Sequence, residues 1–200
     1  MYTLLKPIQV REELLKREIK FFSPLDFVRI FEISASKAKY FLEKQSNKNG
    51  LFLRLKQGLY SLRTDMPSEE EISNCLYKPS YISFEYALFR YGIIPEAVYS
   101  ITSATTKPTR EYKVLETSFS YLSIKKEAYI GFILQKENEK QFFIAEPEKA
   151  LVDYMYFVSL GKKTKNERLF LDGLDKDKVF SYAKIFNRAN LIKKMEEIFK

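Results

Sequence analysis

Three groups of residues in this chain have types and spacings that could do chemistry. Glu146, Glu148 and Asp153 form a carboxylate set, and carboxylates are what a magnesium-dependent phosphoryl-transfer site needs. Thr102, Ser103, Thr105, Thr106, Lys107 and Arg110 bring hydroxyls and cations to one strand end, a donor set suited to a phosphate or an RNA backbone. Ser34, Ser36, Lys37, Lys39, Tyr40 and Lys44 lie in one short basic segment, with Arg54, Lys56 and Gln57 close behind, and cations with hydroxyls at helical spacing suit duplex DNA.

The first group is weak. Pro147 belongs in a first helical turn, so Glu146 and Glu148 fall where a helix N-terminus favours negative charge. Glu148 and Asp153 are five residues apart and share a helical face poorly. The chain has no histidine. That removes the most versatile acid–base group at neutral pH, the commonest zinc ligand, and every Ser–His or Cys–His nucleophile pair. No Gly-rich phosphate loop is present. The expectation is a protein that is not an enzyme and has neither metal nor cofactor. The plainer reading of the second group is a strand edge with a solvated turn. Within it, Thr105, Lys107 and Arg110, together with Lys149, are the candidates for a functional surface of the C-terminal half. Lys149 has Glu146 or Asp153 as possible partners, or solvent.

The third group sits in a segment with strong local signals. Residues 8–19 carry apolar positions at roughly helical spacing. Ser23, Pro24 and Asp26 open a second helix over 24–31, expected to bury Leu25, Phe27, Val28 and Phe31. A short turn at Glu32-Ile33 leads to a third helix, capped by Ser34 or Ser36 and reaching about residue 47. Its buried stripe is Ala38, Phe41 and Leu42. Ser36, Lys37, Lys39, Tyr40 and Lys44 point away from that stripe. The helix has no arginine, so base reading falls to these residues with Gln45 and Asn47. Strands at 51–55 and 59–62, joined through Gln57-Gly58, make a hairpin with Arg54 and Lys56 near its tip. Helix, turn, basic helix and ribbon together predict a winged helix-turn-helix.

Charge follows the same division. Residues 1–63 hold 13 Lys/Arg against 6 Asp/Glu, which is +7 of the chain's net +8. A cationic small domain beside a near-neutral larger one suits a DNA reader with a separate effector. The boundary is expected near residue 66, giving domains over 1–66 and 67–200.

The larger part reads as α+β. It opens with an acid-started helix near 64–78, capped by Ser68, and a helix from Ser83 that Gly92 stops. Strands follow at 98–106, 112–115, 119–124, 129–135 and 141–144, expected as an antiparallel sheet. A helix runs from Pro147 to Leu160 with Ala150, Leu151, Tyr154 and Val158 as its stripe. Helices near 166–173, 176–186 and 188–199 complete a helical tail. No run of 18 apolar residues exists, so no membrane span is expected. Met1 to Pro7 lacks a signal-peptide core, and the single Cys75 fits a reducing compartment, so the expected location is the cytoplasm.

Four stretches, in this order, resemble one family. Leu51 to Leu62 is similar to the wing of AbiEi-type antitoxins. Lys78-Pro79-Ser80-Tyr81-Ile82-Ser83, running on through Tyr86-Ala87-Leu88 to Tyr91-Gly92-Ile93-Ile94-Pro95-Glu96, is similar to a second motif, with Tyr86 where a small residue is more usual. Ile101-Thr102-Ser103-Ala104-Thr105-Thr106-Lys107 and Ile144-Ala145-Glu146-Pro147-Glu148-Lys149-Ala150-Leu151-Val152-Asp153 are similar to the third and fourth. The resemblance covers roughly residues 20–160. It implies an abortive-infection, type IV toxin–antitoxin component: an N-terminal winged helix that binds inverted-repeat operator DNA and represses its own operon, and a C-terminal domain that counters a nucleotidyltransferase-like toxin without stable binding being required. The alternative is a winged-helix regulator whose second domain binds a ligand or protein, with no toxin partner.

Overall fold

A computed structural model describes residues 5–200, so Met1 to Leu4, part of the stretch expected to lack a signal core, lie outside the described residues. The fold is mixed α+β, and the chain divides into two compact units, Met1–Ser68 and Glu69–Lys200.

In the first unit, helix α1 (Pro7–Lys16) buries Val10 and Leu14, one turn apart. It ends earlier than its periodicity suggests, because Glu18 turns left-handed (φ 53°). Ile19 then bonds back to the Leu14 carbonyl from outside the helix. Helix α2 (Pro24–Phe31) starts from a complete capping box: Ser23 Oγ accepts the Asp26 N–H, and Asp26 accepts the Ser23 N–H at 2.9 Å. Those bonds from Ser23, first its hydroxyl and then its N–H, hold the Asp26 carboxyl below the usual range. Glu32, also left-handed, closes α2. Leu25, expected inside, is exposed; Phe27 is buried, with Val28, Ile30 and Phe31 partly buried against the same core. Helix α3 (Ala35–Gln45) is capped by Ser34, whose Oγ accepts the Lys37 N–H.

The ribbon follows as β1 (Phe52–Lys56) paired antiparallel with β2 (Leu59–Leu62), with a bulge between Arg54 and Lys56. Gly58 holds φ +76° at its turn, where a side chain is strained. One element is invisible to strand-length patterning: Phe22, between α1 and α2, exchanges two backbone bonds with Tyr60 at 3.0 Å, making a third, one-residue rung on β2. Phe22, Phe27, Phe52 and Tyr60 then form the centre of the core with Leu14, Ala38 and Leu42. Edge-to-face packing of Phe22 on Phe52 at 5.1 Å helps set the ribbon against α2 and α3.

Gly50 fixes the passage from α3 into β1. A Cβ there would meet the Gln45 carbonyl oxygen at 2.1 Å. Backbone cannot yield as a flexible side chain can, so Gly50→Ala is expected to destabilise the protein by about 1–3 kcal/mol in urea denaturation. An unchanged midpoint would contradict this placement.

In the second unit, α4 (Glu69–Leu76) leads to β3 (Ser80–Ile82), α5 (Phe84–Arg90), β4 (Ile101–Thr105), β5 (Arg110–Val114), β6 (Thr117–Ser123), β7 (Phe132–Glu137), β8 (Lys140–Ala145), α6 (Pro147–Ser159), α7 (Lys176–Ile185) and α8 (Ala189–Ile198). The sheet order is β5-β6-β4-β3-β8-β7. The expectation of an antiparallel sheet is corrected: β3 pairs parallel with β8, and β4 parallel with β6. Side-chain alternation has the same period in both kinds of ladder, so it carries no sign of direction. Strand β3 was absent from the expected strands because all three of its residues are buried. A central strand covered on both faces shows no alternation.

Ser103 and Tyr121 reach Ser73 on α4. Tyr81, out of phase with the Ile82–Ser103 pair, points to the other face and reaches α6. Helix α6 is buried almost all round rather than along one stripe, with α5, α7 and α8 packed on it. The helix expected near 166–173 does not form. There the Phe170 N–H is taken by the Ile93 carbonyl, and Gly173 turns left-handed. Tyr86, unusual for its motif, is accommodated by donating its hydroxyl to Glu70. Among the described residues no helix is long and apolar enough to cross a membrane.

Candidate nucleic-acid interface

Helix α3 carries most of the candidate residues. Ala38 and Leu42 are buried and Phe41 half-buried, so the opposite side faces solvent, and there Ser36, Lys37, Lys39, Tyr40, Glu43 and Lys44 are all exposed. Tyr40 is 68% exposed, far more than an aromatic ring needs for packing. Ser34 is engaged in capping, and its hydroxyl lies 3.1 Å from that of Ser36, so it organises the helix start. On the ribbon, Arg54 and Gln57 are exposed and Lys56 is half-buried. Arg54 is exposed although it stands opposite the buried Tyr60, on the same side of the ribbon as Phe52.

Two candidate base readers are corrected. Gln45 is half-buried, and its side-chain oxygen accepts the Leu51 N–H. Asn47 donates to the Lys44 carbonyl at 2.9 Å and accepts from the Asn49 N–H. Both amides serve the turn that joins α3 to β1, where unpaired backbone groups need partners. Glu43 was not among the candidates, although it shares the outward face with Ser36 and Tyr40. Helical spacing alone would have found it.

The candidate surface of Thr105, Lys107, Arg110 and Lys149 does not exist as one surface. Thr105 is buried, and its hydroxyl donates to the Pro79 carbonyl at 2.7 Å. Lys149 is 0% exposed. Only Lys107 and Arg110 face solvent, lying over the Tyr77 ring at 5.5 and 5.8 Å. Thr102 and Ser103 are likewise internal: Thr102 donates to the Ser83 carbonyl at 2.6 Å, and Ser103 meets Ser73.

The carboxylates divide as well. Glu146 and Glu148 share the Lys178 ammonium at 3.1 and 3.2 Å. A hydrogen bond from Tyr182 is the main cause holding Glu146 below the usual carboxylate range. Asp153 belongs to a different set. It accepts Tyr81 Oη at 2.9 Å and Ser83 Oγ at 2.8 Å on one oxygen, and it pairs with Lys149 through the other. Lys149 also donates to Tyr81 Oη at 2.9 Å and lies 5.2 Å from the Phe186 ring centre. Burial pulls the Lys149 ammonium below the ordinary lysine value, and the Asp153 charge opposes that pull. Burial, then Asp153, pushes Tyr81 well above its usual range. All four side chains are inaccessible to solvent. Among the described residues no group of His, Cys, Asp or Glu is placed to hold a metal ion.

The arrangement therefore offers exposed cations on α3 and on the ribbon, and a sealed ionic network in the second unit. No protein-family model matches the chain, and no curated protein matches it.

Proposed function

We propose that the protein is an AbiEi-type antitoxin. Its first unit is a winged helix that binds operator DNA and represses its own operon, and its second counters a nucleotidyltransferase-like toxin. The observation that carries the DNA reading is the outward face of α3, where Ser36, Lys37, Lys39, Tyr40 and Lys44 stand exposed in a unit that holds most of the net charge. The order helix, Phe22 rung, helix, helix, ribbon is also the order of a winged helix. Supporting the antitoxin reading, residues from three separately quoted motifs meet: Tyr81 and Ser83 from one, Thr102 from another, and Lys149 and Asp153 from a third.

The division of labour follows from the physics of each part. Cations on α3 and the ribbon neutralise phosphates and release counterions, which gives affinity for any duplex. Groups at the centre of the α3 face reach base edges and supply choice. Lys56, beside the ribbon turn, belongs to the first kind. Lys56→Ala is expected to weaken binding to every sequence by a similar factor. It is also expected to reduce the slope of log affinity against log salt by about 0.9, one phosphate's worth. Fluorescence anisotropy with the promoter duplex and with an unrelated duplex measures both. If the unmodified protein shows no salt-sensitive affinity for either duplex, the DNA reading is rejected. Growth on co-expression with the gene encoded alongside tests the antitoxin role: a toxic neighbour that this chain fails to silence rejects it.

A further inference from the structure

Helix α3 carries one group that a surface built only to hold phosphates would not keep. Successive residues turn by about 100°, so Ser36, Tyr40 and Glu43 fall in one row opposite the buried Ala38 and Leu42. Lys37 and Lys44 flank that row on one side and Lys39 on the other. Glu43 thus stands in the middle of the cationic face. Its side chain is exposed, and its carboxylate has no hydrogen-bond or ion-pair partner among the described residues. Lys39, one turn before it, is at pairing spacing but not within ion-pair distance. By contrast, Glu13 is paired with Arg17, and Asp26 is bound into the capping box.

A carboxylate among lysines that face a duplex is repelled by every phosphate it approaches. It is compatible with binding only where the DNA presents a donor. In the major groove, guanine offers two acceptors and thymine an acceptor and a methyl group. Adenine has its N6 donor beside the N7 acceptor, which repels a carboxylate but suits an amide. Cytosine N4 offers the donor alone. We infer that Glu43 is a specificity-determining residue that accepts a hydrogen bond from a cytosine N4 amine, so that α3 selects a C·G pair at one position of its site. This rests on the reading of α3 as the DNA-reading helix.

The test is selection from a random duplex library by the full chain and by its Glu43→Gln and Glu43→Ala variants, with the bound DNA sequenced. The parent should enrich a motif with cytosine at one position. Glu43→Gln should replace that cytosine with adenine, which an amide reads in bidentate fashion, and leave the other positions unchanged. Glu43→Ala should lose about tenfold discrimination at that position alone and bind unrelated duplexes more tightly, since a negative charge has gone. Thermal denaturation of the variants should match the parent, because the side chain is exposed. Two results overturn the inference while sparing the DNA reading: a Glu43→Gln motif identical to the parent's, or a Glu43→Ala change that raises affinity equally for all sequences. A parent that enriches no motif and shows no salt-sensitive affinity is a different result, and rejects DNA binding itself.

Discussion

Replacing Asp153 with alanine is expected to remove about 3–5 kcal/mol of stability, a large share of what a domain of ordinary stability possesses. The cause is what the substitution leaves behind. Lys149 is 0% exposed, and its ammonium pairs with Asp153 and donates to Tyr81. Without Asp153, an unpaired charge would sit against the Tyr81 and Phe186 rings, and the hydroxyls of Tyr81 and Ser83 would lose their shared acceptor. Burial already pulls Lys149 below its ordinary value, and Asp153 is what opposes that pull. Urea denaturation of the full chain, followed by circular dichroism, measures the loss. The double variant Lys149→Met/Asp153→Leu should recover most of it, because exchanging both charges for apolar groups avoids the orphaned ion. An Asp153→Ala protein within 1 kcal/mol of its parent would mean that the network is open to water.

If the first unit binds DNA as proposed, replacing both Lys37 and Lys39 with alanine is expected to lower affinity for the promoter duplex by about 10- to 100-fold at moderate salt and to reduce the salt slope by nearly two. Both residues lie in the first half of α3 and are exposed, while Ala38 between them is buried. The pair therefore straddles the edge of the core and faces outward on both sides of the Ser36–Tyr40 row. Both side chains are exposed, so folding stability should change by no more than about 0.5 kcal/mol each. Salt titration by anisotropy separates this from a folding defect. Binding equal to the parent's would show that α3 does not face the DNA.

Several elements could be read from local signals. Ser23 with Asp26 announces the start of α2, and the real helix begins with that capping box. The spacing of Ala38 and Leu42 gives the buried side of α3, and the Gln57-Gly58 turn gives the ribbon. Each depends on residues within a few positions of one another. The Phe22 rung on Tyr60 depends on a contact across 38 positions by a single residue, too short to leave a pattern. Gln45 and Asn47 have types suited to reading bases. What removed them was the need of nearby backbone groups for partners, which only the folded turn reveals.

From its order of residues alone, the chain determined the capped start of α2, the buried side of α3, its ribbon turn and the concentration of positive charge in the first 63 positions. Those properties arise from backbone preference, side-chain period and formal charge, all of which act locally or add up without regard to shape. Tertiary structure alone decided that β3 and β8 run parallel, that Thr105 and Lys149 are sealed inside, and that Glu146 and Asp153 belong to different networks. The fate of a polar side chain depends on whether a partner can meet it away from water. For Asp153 those partners, Tyr81 and Ser83, come from 72 and 70 positions away, a distance only folding can close.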